Sequence, residues 1–346
     1  NDNLNKIGFN TILNKETIKQ YICSIKNELK HVRRTLRKII KSEDITRYIY
    51  VNYMFSLLID SDKSEVVIGD NVLRKDINIP GNVVDKYKKM LPFKESKMNM
   101  LREKAYREVN NREIDLSKRI LSINLPTGLG KTFTTISFAL KLREKLYREK
   151  NIRYRIIYSL PFLSIIEQNS NEFEKILKSN GISINSDLLL KHHHLSDVKY
   201  TKGNMEFETD KAKIMIEGWN SEIIVTTFIQ LFHTIISNKN SALRKFHRLA
   251  NSIIILDEVQ SIPFNYWLLM KKMLSAIAFE LNSYIIFVTA TQPLIFKKDE
   301  IYPLVDEKKY FYEMDRVRIH PLLKDNITLN DLSNMFDLND GRSYLF

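Results

Sequence analysis

The chain has 346 residues, more than one hydrophobic core comfortably serves, so two domains or one domain with an appendage are expected. Its 44% hydrophobic content predicts a folded protein, and its formal net charge of +13 favours a polyanionic partner such as a nucleic acid over an acidic one. A single cysteine, Cys23, excludes an intrachain disulfide and a cysteine-only metal cluster. No apolar run reaches the roughly 18 residues of a membrane helix, so a cytoplasmic location without membrane partners is expected.

The first predicted element is an amphipathic helix, because Ile22, Ile25, Leu29, Val32, Leu36 and Ile39 recur at spacings of three and four. Lys26, Lys30, Arg33, Arg34, Arg37, Lys38 and Lys41 fill its other faces, where solvation is the plainer reading and nucleic-acid contact the sharper one. Cys23 reads as a buried small apolar residue. Ser42 is suited to cap a second helix, whose segment from Tyr48 to Ile59 is apolar almost all round and is expected to be buried. Breaks at Pro80-Gly81 and Leu91-Pro92-Phe93 put a linker over 76–95, after a helical segment spanning 1–75.

Beyond that point β-branched runs alternate with helical stretches. Arg119 to Asn124, Arg155 to Ser159, Ile223 to Thr227, Ser252 to Leu256 and Tyr284 to Val288 read as strands. Near-continuous apolar strands separated by helices predict a doubly wound α/β domain, a parallel sheet covered on both faces, over 96–320.

Three motifs on these strands carry chemistry. After the first strand, Pro126-Thr127-Gly128-Leu129-Gly130-Lys131-Thr132 runs through a glycine-containing turn into a helix. Backbone amides and the positive helix end there suit a triphosphate, Lys131 reaches its β and γ phosphates, and Thr132 offers a hydroxyl to Mg²⁺. The apolar strand ending at Asp257-Glu258 adds two carboxylates at the carboxyl edge of the sheet. Asp257 is expected to hold Mg²⁺ and Glu258 to orient and deprotonate the attacking water, with ATP and Mg²⁺ as cofactors. The last strand leads into Thr289-Ala290-Thr291, which resembles the superfamily 2 motif that couples nucleotide state to nucleic-acid grip, and that resemblance implies that Gln260, able to hydrogen-bond in both senses, links the nucleotide to Thr289 and Thr291.

Two further loops follow strands at the same edge and suit sugar-phosphate oxygens: the turn at Pro161 and Phe162, and Thr226 with Thr227, a pair that reads equally as a helix cap and its neighbour. The tract His192-His193-His194 fits a structural or phosphate-contacting role better than a metal site, since consecutive side chains on an extended segment point to alternate faces.

The strings LPTGLGKT, SLPFLSIIEQN, HHHLSD, VTTFIQLFHTI, IIILDEVQSIP and TATQP, in this order, resemble the helicase of type I CRISPR systems, which joins an HD nuclease domain to a superfamily 2 motor. The resemblance covers about residues 96 to 346 and implies a RecA-like first lobe that binds ATP, with single-stranded DNA and an RNA-guided surveillance complex as partners. It implies that 1–75 is the end of an HD domain, in which Asp62, or else Asp60, is a ligand to a divalent transition metal; none of the seven histidines is followed by aspartate, so the pair that would complete the site is absent. The segment 321–346 is then the connection to a second lobe, and a piece of this kind is expected to bind ATP weakly and hydrolyse it poorly. Two other readings stay open: a superfamily 2 motor outside CRISPR defence, and a non-catalytic docking or nucleic-acid-binding module.

Overall fold

The computed structural model describes residues 15–41, 45–68, 77–192, 201–202, 205–206, 209–291 and 295–314. Ser42, His193, His194 and the segment 321–346 lie outside the described residues.

At the centre is a seven-stranded sheet in which every pairing is parallel, in the order β3-β6-β2-β7-β8-β1-β9. The strands are β1 (Ile120–Asn124), β2 (Arg155–Leu160), β3 (Leu189–His192), β6 (Ile223–Thr227), β7 (Ser252–Asp257), β8 (Tyr284–Thr289) and β9 (Tyr302–Pro303). A separate two-stranded antiparallel pair, β4 (Thr201–Lys202) and β5 (Met205–Glu206), lies between β3 and β6 in sequence. The five predicted strands are present within a residue of their expected ends. Strands β3 and β9 were not anticipated: the first is four residues long and runs into the histidine tract, and the second is a two-residue edge containing Pro303, which can sit only where a donor is not required.

The middles of the central strands are apolar because each face of the sheet is covered. Leu121 and Ile123, Ile156 and Tyr158, Ile253 and Ile255, and Ile286 and Val288 point into one core. Their sequence neighbours Ile120, Ile157, Ile254 and Leu256, and Ile285 and Phe287, point into the other. This is the period of two expected of strands, doubled onto two buried faces.

The first core is closed by α3 (Val83–Met90), α4 (Lys97–Asn110), α5 (Lys131–Lys150) and α6 (Leu163–Ser179). The stretch expected as a linker therefore folds as part of the domain, with Val83 and Val84 buried. Pro80-Gly81 is not a hinge but the tight start of α3: a Cβ on Gly81 would lie 3.1 Å from the Lys141 Cα and 2.6 Å from Glu144 Oε2, so glycine lets this turn lie against α5.

The second core is closed by α2 (Ile45–Ile68), α7 (Thr209–Glu217), α8 (Phe228–Ile236) and α10 (Trp267–Glu280), and the single turn α9 (Asn240–Leu243) packs beside α8 and α2. A last short helix, α11 (Glu307–Glu313), follows β9. Helix α2 was expected to be buried all round, yet only one stripe of it is. Ile49, Ser56, Asp60 and Ser64 are buried, whereas Val51, Met54, Phe55 and Leu58 are exposed. In α1 (Lys15–Lys41) every side chain that is described is exposed, which corrects the reading of Cys23 as buried.

Candidate functional site

The phosphate loop follows β1 and turns on two glycines with positive φ, Gly128 at 86° and Gly130 at 74°. A Cβ at Gly130 would meet nothing within 4 Å, so glycine is required there by backbone conformation and not by crowding. The chain then enters α5, with Lys131 and Thr132 as its first residues and Gly130 as its cap. Arg102 of α4 donates from Nε to the Gly128 carbonyl at 2.6 Å and braces the turn from outside. Pro126 and Leu129 are buried, while Thr127 and Gly128 are exposed.

Asp257 and Glu258 end β7. The Glu258 backbone is left-handed, with φ 57°, an uncommon conformation for a residue with a side chain. Its amide donates to the Val288 carbonyl at 2.9 Å. This turn brings Glu258 Oε1 to 3.0 Å from Lys131 Nζ, an ion pair in which the lysine side chain is 10% exposed and the glutamate 29%. The contact satisfies charge but not hydrogen-bond direction, since Lys131 Nζ is buried without a hydrogen-bond partner. Backbone strain of this kind persists where surrounding structure fixes it, and functional sites are where it concentrates.

Asp257 is buried, and its two oxygens differ. Oδ2 accepts a hydrogen bond from the Tyr158 hydroxyl at 2.6 Å, whereas Oδ1 is buried and has no hydrogen-bond partner among the described residues. Burial, reinforced by the neighbouring Glu258 charge, pushes the Asp257 carboxyl up to about 6 against the opposing pull of Tyr158 and Lys131. An Asp257 oxygen and a Lys131 Nζ that are both buried without hydrogen-bond partners, together with a loop turning on left-handed glycines, fit a magnesium-bound polyphosphate: the cation would answer Asp257, and the phosphate oxygens Lys131 and the loop amides.

Gln260 links this centre to the next strand. Its Nε2 donates to Glu258 Oε2 and its Oε1 accepts from Thr289 Oγ1 at 2.7 Å. The Thr291 amide donates to Thr289 Oγ1 at 3.0 Å. The residues expected as phosphate loop, carboxylate pair and coupling group thus meet at the carboxyl ends of β1, β7 and β8.

The candidate nucleic-acid residues divide. Phe162 is 59% exposed at the start of α6 and Pro161 is half-buried beside it. Thr226, expected to meet a sugar-phosphate backbone, is instead fully buried and donates to the His192 carbonyl at 2.8 Å. Thr227 caps α8, its hydroxyl accepting from the Gln230 amide at 3.1 Å. His192 has a structural part: its Nδ1 accepts from Trp219 Nε1 at 2.9 Å in a buried pair.

Asp62 is exposed. Asp60 is committed to a buried cluster, where Arg244 Nε lies 2.8 Å from its Oδ1, and Arg248 Nη2 2.9 Å and His247 Nε2 3.5 Å from its Oδ2. Among the described residues no three His, Cys, Asp or Glu side chains are grouped to hold a metal ion.

Two features escaped the sequence reading. One is Tyr158, whose signal lies in strand parity: it pairs with Ile255 in register and so shares a sheet face with Asp257, two residues on. The other is a pocket of about 190 Å³ next to the phosphate loop, lined among others by Phe93, Arg102, Tyr106, Leu129 and Phe133. It joins residues from the supposed linker to the loop, a juxtaposition that spacing alone does not reveal.

A model of the DEAD/DEAH box helicase family matches residues 103–298, which is 196 of the 346. Over 194 residues the chain is 34% identical to the CRISPR-associated nuclease/helicase Cas3 of Haloferax volcanii, covering 54% of this chain and 21% of that protein. It therefore spans about a fifth of the curated relative. Among solved structures, T. fusca Cas3 with ADP covers 62% of this chain and 22% of its own at 15% identity, with a TM-score of 0.44. The DEAD-box helicase Mss116 bound to ssRNA and UDP-BeF covers 69% of this chain and 45% of its own at 13% identity, with a TM-score of 0.42.

Proposed function

The chain belongs to the DEAD/DEAH box helicase family, and on that premise we propose that it is the ATP-binding lobe of a DNA translocase acting in CRISPR-based defence, working together with an HD nuclease. The observation that carries the catalytic part is the pairing of Lys131 with Glu258 at 3.0 Å beside an Asp257 oxygen that has no partner. The CRISPR setting is supported by the 34% identity to a nuclease/helicase of such a system.

In this reading the amides from Gly128 to Thr132 and the amino end of α5 bind the phosphates. Lys131 leaves Glu258 and neutralises charge on the β and γ groups. Thr132 and Asp257 Oδ1 would hold Mg²⁺, which when bound would supply charge neutralisation on the phosphate oxygens. Glu258, released from its ion pair, takes the proton of the attacking water on a carboxylate oxygen. Gln260 hands the change at Glu258 to Thr289 and so to the loop that carries Thr291. The exposed Phe162 offers a face for stacking a base of single-stranded DNA, with Pro161 shaping the turn. The pocket lined by Phe93 and Tyr106 also includes Leu129 and Gly130 of the loop, which makes it the candidate place for the base of a nucleotide bound there.

The test is ATP hydrolysis by the longest natural form of the gene product, with and without single-stranded DNA and with Glu258→Gln as control. Stimulation by DNA that disappears in the variant is expected. Hydrolysis indifferent to DNA and to Glu258 would refute the motor.

A further inference from the structure

Tyr158 lies in the middle of β2 with no exposed surface, and its ring is held edge-to-face against Phe173 at 5.8 Å and 84°. Its hydroxyl donates to Asp257 Oδ2 at 2.6 Å. One neutral group therefore holds an oxygen of the carboxylate read above as holding the metal. The Asp257 oxygen that it does not touch, Oδ1, is the buried one without a partner.

From this geometry we propose that Tyr158 is a positioning residue for the magnesium–nucleotide site: its hydroxyl fixes the rotation of the Asp257 carboxylate so that Oδ1 faces the metal. The inference rests on the reading of Thr132 and Asp257 as the metal-holding pair. A carboxylate with two free oxygens rotates about χ2 and presents either one, or both, to an ion. A hydrogen bond to one oxygen selects the other, and outer partners of this kind orient metal ligands generally. A phenol suits the task because it donates without bringing a charge: a lysine at this place would neutralise the carboxylate and compete with the cation. Strand register makes the contact possible, since Tyr158 opposite Ile255 is a diagonal neighbour of Asp257 on one face of the parallel pair β2–β7.

The hydroxyl is removed by Tyr158→Phe, which keeps the ring against Phe173. In the full chain, Mn²⁺ binding in the presence of ATP, followed by electron paramagnetic resonance, is expected to weaken about tenfold or more. Nucleotide affinity measured in EDTA should stay unchanged, a split that a purely structural role does not produce. Equal Mn²⁺ affinity in the two proteins would overturn the inference, and so would an equal loss of nucleotide affinity with and without metal. Failure of the unsubstituted protein to form any Mn²⁺–nucleotide complex would overturn the reading of Thr132 and Asp257, and this inference with it. Should the phenylalanine variant not fold, 3-fluorotyrosine at position 158 gives a fluorine resonance that is expected to shift when Mg²⁺ is added to nucleotide-saturated protein; a resonance that stays in place refutes the role.

Discussion

At Glu258 the backbone turns left-handed and lays the carboxylate over the phosphate loop, where Lys131 and Gln260 both meet it. Glu258→Gln keeps the shape and loses the base. Hydrolysis by the complete motor should fall about a hundredfold or more, while nucleotide binding holds or tightens because Lys131 is freed; steady-state turnover and fluorescent-nucleotide titration separate the two effects. Gln260→Ala breaks the hydrogen bond to Thr289, and the expected loss is in the ratio of DNA-stimulated to basal turnover rather than in nucleotide affinity. An unchanged ratio would remove Gln260 from the coupling path. These residues were legible in the sequence because each belongs to a contiguous motif at a strand end. Tyr158 and Arg102 were not, since they reach the site through register and helix packing, which local spacing does not encode. Thr226 was misread for a related reason: at the carboxyl end of a strand its hydroxyl looked free for a ligand, but β3 pairs alongside and buries it.

Helix α2 is tied to the sheet domain by charge as well as by packing. Arg244 has no exposed side-chain surface, and its partner Asp60 is 8% exposed. Asp60→Asn removes the carboxylate that pairs with Arg244 and Arg248, so thermal unfolding should report a loss of about 3–5 kcal/mol. His247 in the same cluster lies beside Ser56 and Asp60 on α2, and burial, with the Arg248 and Arg155 charges, pushes its imidazole down to about 2. The unfolded imidazole takes a proton below about 6.5 and the folded one does not until far lower. Stability is therefore full above pH 6.5 and falls as the pH drops, by about 1.4 kcal/mol per unit from this residue. Denaturant unfolding at pH 7.5, 6 and 5 should show that slope, reduced by this amount in His247→Asn. Gly81→Ala presses a methyl against α5 and should cost about 1–3 kcal/mol. The strands were readable from β-branched runs. Helix α3 was not, because its Pro80-Gly81 start carries the same signal as a linker.

On the scale of the molecule, a parallel sheet with a core on each face gathers the ends of β1, β7 and β8 into one edge, and the chemistry-bearing residues collect there. Hydrophobic runs and helix-strand alternation made that architecture readable in advance. The attachment of α2 to the second core, through Ile49 and the Asp60 cluster, was not, because a helix apolar on all sides does not declare which face it buries. The net charge of +13 agrees with a polyanionic partner without fixing which one. All of the proposed motor chemistry depends on a magnesium-bound nucleotide at the phosphate loop. The most direct measurement is equilibrium binding of a non-hydrolysable ATP analogue with Mg²⁺ to the longest natural form of the protein, alongside Lys131→Ala at matched thermal stability. Saturable binding that the substitution abolishes is the expected result; binding that survives the loss of Lys131 would contradict the site.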